Sequence, residues 1–353
     1  MATEIDALIS QINKKQKSEI MIRGADLLNQ TWLRTSSGSL SMDLMLGGGW
    51  PLNCMCEIIG TESAGKTVMA LKTVASNQLL DPDYHVLWVA SEEFDPKWAA
   101  TLGVDVSRMT FVMTNVMEDA YESCLQVMSE RAADCVIIDS LPALVPSEEA
   151  EKSMMDFTVG RGALLTNKFM RKSYEALGRS LVEYDRPILC IAVNQWRDRI
   201  GVLYGDPRTT PGGRGKNYRF AIRVDVSRLE YLTDHGTKVG QTIKCQTLKN
   251  KTAPPRREGQ VDFYFLDSGE FTAGEFDVAK EIFDLALVSD VIKQKGSWFY
   301  FHDEKWQGSK TAWEALHADP ALQALLDTEV RTHLGVAVPT ARKVGGTKRR
   351  RVE

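Results

Sequence analysis

From Cys54 onward, short apolar runs alternate with longer amphipathic ones. They are CMCEIIG, a helical stretch from Gly65 to about Leu80, HVLWVAS, a helix near Pro96 to Leu102, MTFVM, a helix near Glu118 to Ala132, CVIID, a long helix near Val159 to Tyr184, and PILCIAV. The short runs are apolar on both faces, the pattern of strands covered by helices above and below, and they predict an α/β domain with a mainly parallel sheet. Three later runs, AIRVDVSRLEYL, TIKCQTLKN and VDFYFL, are closely spaced and alternate polar with apolar, so they predict an antiparallel extension of that sheet. After Gly274 the period changes to a helix (FDVAKEIFDLALVSDVI), an aromatic hairpin (GSWFYFHDEKW) and two helices (SKTAWEALHAD, PALQALLDTEVRTHL), a small α+β unit. Ahead of the sheet stand a short helix with Ile5, Leu8, Ile9 and Ile12 on one face, a KKQK run and a strand-like Ile20-Met21-Ile22. A helix this short buries little alone and needs either its own core or a neighbouring subunit.

The expected organisation is therefore an N-terminal docking segment at 1–34, a core at 35–273, a small α+β domain at 274–335 and a tail at 336–353. At 353 residues the chain fits the prior of about 150 residues per domain. Hydrophobic residues at 43% and charged residues at 25% exclude a disordered or collagen-like chain. No run approaches the ~18 apolar residues of a membrane helix, and the polar N-terminus does not read as a signal sequence, so the expected location is the cytoplasm. The six cysteines form no C-x-x-C pair and read as reduced core residues.

Net charge of −4 alone argues against a nucleic-acid ligand, but the distribution argues for one. Arg342, Lys343, Lys348, Arg349, Arg350 and Arg351 give the end of the chain a charge of +5, and the rest is −9. Trp196 to Arg223 is a second basic stretch, with Arg197, Arg199, Arg208, Arg214, Lys216, Arg219 and Arg223 against Asp198 and Asp206.

Gly60-Thr61-Glu62-Ser63-Ala64-Gly65-Lys66-Thr67 fits G-x-x-x-x-G-K-[ST] between a strand and a helix, the context a phosphate-binding loop requires. Its backbone N–H groups would wrap phosphates, Lys66 would reach the β and γ phosphates, and the Thr67 hydroxyl would hold Mg²⁺. The strand CVIID ends in Asp139, a candidate Mg²⁺ partner, with Ser140 beside it. Glu92 and Glu93 both follow HVLWVAS, and either carboxylate could polarise an attacking water. Asn194-Gln195 ends PILCIAV and opens a basic, glycine-rich run of about twenty residues, long enough to be functional and placed to feel a γ-phosphate.

These stretches resemble the RecA family of DNA recombinases. The resemblance runs from about residue 3 to 335 and rests on SSGSLSMDLMLGGGWP, GTESAGKT, LGVDVSRM, CVIIDSLPALVP, AVNQWRDRIGVLYGDPRTTPGG, LKNKTAPP and KGSWFYFHDEKWQGSKTAWEAL. It implies a RecA-type P-loop ATPase core with an N-terminal oligomerisation helix. By the resemblance Glu92 activates water, Gln195 senses the γ-phosphate, Asp95 contacts adenine, and Trp98 replaces an adenine-stacking tyrosine. Trp196 to Gly213 is the second DNA-binding loop, with Arg197, Arg199, Ile200, Gly212 and Gly213 at contacting positions. The first loop falls near Met154 to Gly160, followed by Arg171. There the chain departs from the family, with Val159 in place of a methionine wedge and the next arginine displaced to Arg161. Lys249 and Lys251 resemble the pair that reaches a neighbour's γ-phosphate, and Tyr218 stands for an interface phenylalanine.

The resemblance implies DNA-stimulated ATP hydrolysis with Mg²⁺ and strand exchange by a helical filament on single-stranded DNA. The implied partners are single-stranded DNA, homologous duplex, other copies of the chain, and single-strand-binding and mediator proteins. A RecA-like motor or ring helicase is the rival reading; the LKNK element, the second loop and the small C-terminal domain favour recombinase. Bacterial members end in an acidic segment, whereas ARKVGGTKRRRVE is basic, which reads as duplex capture or as a solvated end.

Overall fold

The computed structural model describes residues 4–16, 21–25, 31–151, 160–178, 186–198 and 207–339. In chain order the elements are α1 (Glu4–Gln16), β1 (Arg34–Thr35), α2 (Leu40–Leu46), β2 (Trp50–Pro51), β3 (Cys54–Gly60), α3 (Lys66–Leu80), β4 (Val86–Ala90), α4 (Pro96–Thr101), β5 (Met109–Val112), α5 (Met117–Glu130), β6 (Cys135–Asp139), α6 (Ser147–Glu151) and α7 (Arg161–Leu177). Then follow β7 (Leu189–Gln195), β8 (Arg197–Asp198), β9 (Arg208–Thr209), α8 (Gly215–Arg219), β10 (Ile222–Asp234), β11 (Thr237–Asn250), β12 (Glu258–Tyr264), α9 (Val278–Val288), β13 (Lys293–Lys295), β14 (Trp298–Phe301), β15 (Glu304–Gln307), α10 (Ser309–Ala318) and α11 (Pro320–His333).

Because successive strand side chains point to opposite faces, the doubly apolar runs must feed two cores. They do. Trp88, Ile137 and Ile191 join Met69 and Val74 of α3 on one face, while Val89, Ile138 and Cys190 join Tyr121 of α5 and Phe169 of α7 on the other. Tyr121 stacks on Phe169 with ring centroids 4.3 Å apart. The strands form an eight-stranded sheet in the order β12-β11-β10-β3-β7-β6-β4-β5. Pairing is parallel from β10 to β5 and antiparallel at β10–β11 and β11–β12.

The first of the three late runs, expected to be antiparallel, is thus parallel to β3, with Ile222 opposite Cys56 and Val226 opposite Gly60. The chain reaches β10 by a crossover from β7, which preserves direction; only the turn at His235-Gly236, both with positive φ, reverses it. Cys56, Cys124, Cys135, Cys190 and Cys245 are buried, and all six cysteines are unbridged.

A third core collects Ile282, Phe283, Phe299, Trp306, Leu326 and Val330 around Leu40 of α2. At the other end of the chain, no residue of α1 is buried, and Ile5 and Leu8 are exposed. Met21 and Ile22, expected to be strand-like, form no strand. The Asn13 amide takes both backbone groups of Met21, donating to its carbonyl at 2.8 Å and accepting from its N–H at 2.9 Å. Ile20, the first-loop residues Met154 to Val159, Arg199, Ile200 and the tail arginines from Arg342 to Arg351 lie outside the described residues. No helix among the described residues is long and apolar enough to cross a membrane.

Candidate active site

In an open parallel sheet the carboxyl ends of the strands form the natural crevice for a ligand. Here the ends of β3, β4, β6 and β7 bring the predicted residues together. β3 stops at Gly60, where a Cβ would lie 2.3 Å from the Val226 carbonyl oxygen, so no other side chain fits between β3 and β10. Gly65 has φ +100°, and a Cβ there would meet Ile243 at 2.7 Å. Thr61, Glu62 and Ser63 are exposed and Ala64 is buried. α3 begins at Lys66 with no side-chain cap at Gly65, so the first-turn N–H groups and the positive end of the helix dipole face the loop, an arrangement that suits phosphate. Lys66 Nζ donates to the Thr61 carbonyl at 2.6 Å. Burial lowers its pKa, against the pull of Asp139, Glu92 and Glu62.

Thr67 Oγ1 donates to Asp139 Oδ2 at 2.9 Å. Burial pushes the Asp139 carboxyl up to about 6, and Glu92 adds to the rise while Thr67 and Lys66 oppose it. A hydroxyl beside a carboxylate is an oxygen-only donor set; it fits Mg²⁺, which takes the rest of its shell from phosphates and water. Ser140 Oγ donates to Glu92 Oε1 in a short contact, and Gln195 Nε2 donates to the same oxygen at 3.4 Å. Glu92 is therefore the member of the Glu92/Glu93 pair that faces the ends of β6 and β7. Asp95 Oδ1 caps α4, accepting from the Lys97 and Trp98 N–H groups at 2.8 and 3.3 Å, a local task the sequence reading did not assign. Trp98 is half-buried and meets Phe263 edge-on with centroids 6.4 Å apart.

At the two described ends of the run after Gln195, Arg197 pairs with Thr209 and Asp198 with Arg208 in a short antiparallel ladder. Trp196 Nε1 donates to Asp225 Oδ1 at 2.7 Å and Arg208 lies over the indole at 4.7 Å, which fixes the root of the loop. Arg197 is exposed. Gly212 and Gly213 both have positive φ, and a Cβ on Gly213 would sit 3.2 Å from the Ala163 Cβ of α7. The second loop thus ends against the helix that follows the first. At that helix's start Gly160 has φ +88°, and Arg161 is paired with Glu148 at 2.5 Å; Arg171, further along, is exposed.

Two features were not read from the sequence. Glu57, inside β3, and Lys216, in α8, are both fully buried and paired at 2.8 Å, and Arg223 Nε reaches the other Glu57 oxygen at 2.5 Å. An acid within the apolar run CMCEIIG was the available signal. The second feature joins Lys249 and Lys251 to α8: Lys249 Nζ donates to the carbonyls of Asn217 and Tyr218 at 2.7 and 3.0 Å, and Lys251 Nζ to Tyr218 at 3.1 Å. Burial, then the charges of Lys251 and Arg223, lower the Lys249 pKa to about 8. Tyr218 is 76% exposed beside them.

The sequence matches the family model of the RecA N-terminal domain over residues 3–269 and that of the RecA C-terminal domain over residues 280–335. It is 35% identical over 329 residues to Protein RecA of Chlorobium limicola, covering 93% of this chain and 89% of that protein. Protein RecA of Halalkalibacterium halodurans is 32% identical over 334 residues, 94% of this chain and 92% of that one. With Protein RecA of Bacillus subtilis the identity is 31% over 334 residues, at 94% and 92% coverage. A phosphate loop at the switch point of the sheet, a carboxylate and a glutamine converging beside it, and similarity along nearly the whole chain lead to one conclusion: the chain belongs to the RecA family and is a DNA-dependent ATPase of homologous strand exchange.

Proposed function

We propose that the chain uses ATP with Mg²⁺ as the switch of a filament on single-stranded DNA that pairs with homologous duplex. Residues Gly60 to Thr67 hold the phosphates, and Thr67 and Asp139 hold Mg²⁺, which when bound neutralises charge on the β and γ phosphates. Glu92 orients and deprotonates water, with Ser140 fixing its carboxylate. Trp98 and Asp95 flank the adenine. Gln195 reads the γ-phosphate, and Arg197, Arg199, Ile200, Gly212 and Gly213, with Gly160, Arg161 and Arg171, line the DNA path. Lys249 and Lys251 act on the nucleotide of a neighbouring subunit, and the exposed apolar face of α1 docks on another. Residues 274–335 form a domain of their own, and the basic tail captures duplex.

One observation carries this reading. Glu92 and Gln195 touch, and Gln195 is the residue before the basic loop, so the hydrolytic carboxylate and the DNA loop share one contact. ATPase measured with and without single-stranded DNA, followed by electron microscopy of the same sample, tests it. Stimulation together with filaments is the expected result, and unstimulated turnover in rings would refute it.

A further inference from the structure

Lys216 is an unusual lysine. It is 0% exposed, and its ammonium spends its three donors on Glu57 Oε1 at 2.8 Å, Thr210 Oγ1 at 2.8 Å and Asn217 Oδ1 at 3.0 Å. Its stem runs beneath Gly212, where a Cβ would come within 3.0 Å of Cδ and Cε. Glu57 is also held by Asn194 Nδ2 at 2.8 Å, the residue before Gln195. A buried ion pair of this kind is weak evidence for stability, since apolar replacements are often neutral or better. What it does supply is a fixed geometry at a place where several elements meet.

The element it fixes is α8, five residues long and too short to hold its own position. The far end of α8 presents the carbonyls that take Lys249 and Lys251. Two ammonium groups side by side repel, and the Tyr218 carbonyl they share, with the Asn217 carbonyl that Lys249 also reaches, offsets that repulsion before any phosphate arrives. This is electrostatic preorganisation in the folded subunit, and it depends on where α8 stands.

We infer that Lys216 is a positioning residue that sets the two-lysine site through α8 and ties its placement to the end of the second DNA loop at Thr210 and to the phosphate-loop strand at Glu57. The inference rests on the proposed action of Lys249 and Lys251 on a neighbour's nucleotide. Contact of DNA with the loop then reaches the neighbour's ATP by way of Thr210, Lys216 and α8.

Lys216→Met keeps the stem and removes the ammonium, leaving Glu57 with Arg223 and Asn194. At saturating single-stranded DNA its kcat should fall about tenfold while the KM for ATP stays within about twofold, because nucleotide affinity resides in its own intact phosphate loop. The deciding measurement is complementation in mixed filaments. Lys66→Ala subunits cannot use their own ATP but carry intact lysines, so in an equal mixture the ATP of Lys216→Met subunits should be turned over at about half the unmodified rate, roughly a fivefold gain. A Lys251→Ala subunit mixed with Lys66→Ala is the control. If the control gains and the Lys216→Met mixture shows dilution only, Lys216 acts within its own subunit and the inference is wrong. If neither gains, with mixed filaments verified, the action of the lysines on a neighbour falls first and the inference with it. Thr210→Val, which removes one acceptor and leaves the ion pair buried, guards against loss of fold. It should lower kcat about two- to threefold and be rescued in the same mixture, and a normal kcat would also overturn the inference.

Discussion

Raising the pH through 8 should switch off the assembled ATPase while leaving the fold in place. Lys249 is the reason: burial, then the positive charges of Lys251 and Arg223, bring its ammonium from the usual value near 10.5 to about 8. The charge that would face a neighbour's γ-phosphate is therefore about nine-tenths present at pH 7, half present at pH 8 and about one-tenth present at pH 9. If only the ammonium form neutralises the transferring phosphoryl group, kcat/KM for ATP falls about tenfold between pH 7 and 9. Bound phosphate favours the charged form, so kcat at saturating ATP should decline at higher pH than kcat/KM. Lys249→Arg separates this cause from general alkaline loss, because a guanidinium stays charged throughout. Its activity should be lower, since the planar fork does not fit two convergent carbonyls, but its profile should be flat. The assay is DNA-stimulated hydrolysis from pH 6.5 to 9.5 at constant ionic strength, with light scattering to verify filaments. A flat wild-type profile, or an equal decline in Lys249→Arg, would refute the reasoning.

Glu92→Gln should bind ATP and DNA yet hydrolyse at least about a hundredfold more slowly, since the amide cannot accept a proton from water; Glu93→Gln showing this loss instead would move the role to the other carboxylate. Arg197→Ala with Arg199→Ala should weaken single-strand binding and reduce the slope of log affinity against log salt by about 0.7 per lost phosphate contact; an unchanged slope in a fluorescence titration would make the loop a solvated face. Glu281 accepts from Ser39 Oγ and from the Leu40 and Ser41 N–H groups, and burial pushes its carboxyl up to about 7. The folded state then keeps a proton that the unfolded chain has lost near pH 4.5, so stability should fall as pH rises through the 4.5 to 7 window, by up to about 3 kcal/mol. Glu281→Gln should flatten that slope, and a stability gap between the two proteins that is equal at pH 5 and pH 8 in urea titrations would contradict it.

The sheet was legible because burial on both faces leaves an apolar signature, as with Trp88 and Val89 facing different cores. The phosphate loop was legible because its glycines answer backbone demands at fixed spacing, seen in the close approach of Gly60 to Val226. The choice between Glu92 and Glu93 was not, since adjacent residues after a strand differ only in which way they point. Strand direction at β10 was hidden for a related reason: alternation marks a half-buried strand and says nothing about its partner. Lys216 was counted among the basic residues of the stretch from Trp196 to Arg223 because lysine is almost never fully buried unless paired. Only the fold could show that its partner, Glu57, lies on a strand 159 residues away.

The two lysines are also fixed from the side opposite α8. Between them stands Asn250, which by strand alternation faces the other way, and its Nδ2 donates to the Leu46 carbonyl at the end of α2 at 3.0 Å. Its Oδ1 accepts from the Thr252 and Ala253 N–H groups at 2.8 and 2.9 Å, which locks the turn after Lys251. The start of α2 is held by Glu281 of α9, and its buried Asp43 is held by Arg331 of α11 at 3.1 Å. Asp43 also accepts from Ser36 and Ser37, so a carboxylate with no access to water is surrounded by donors from both sides of the seam. A polar chain therefore runs from the C-terminal unit through α2 and Asn250 to Lys249 and Lys251. Helix α8 completes the grip from the other side, so the placement of the cation pair depends at once on the seam between the units and on the segment that carries Thr210 and Lys216.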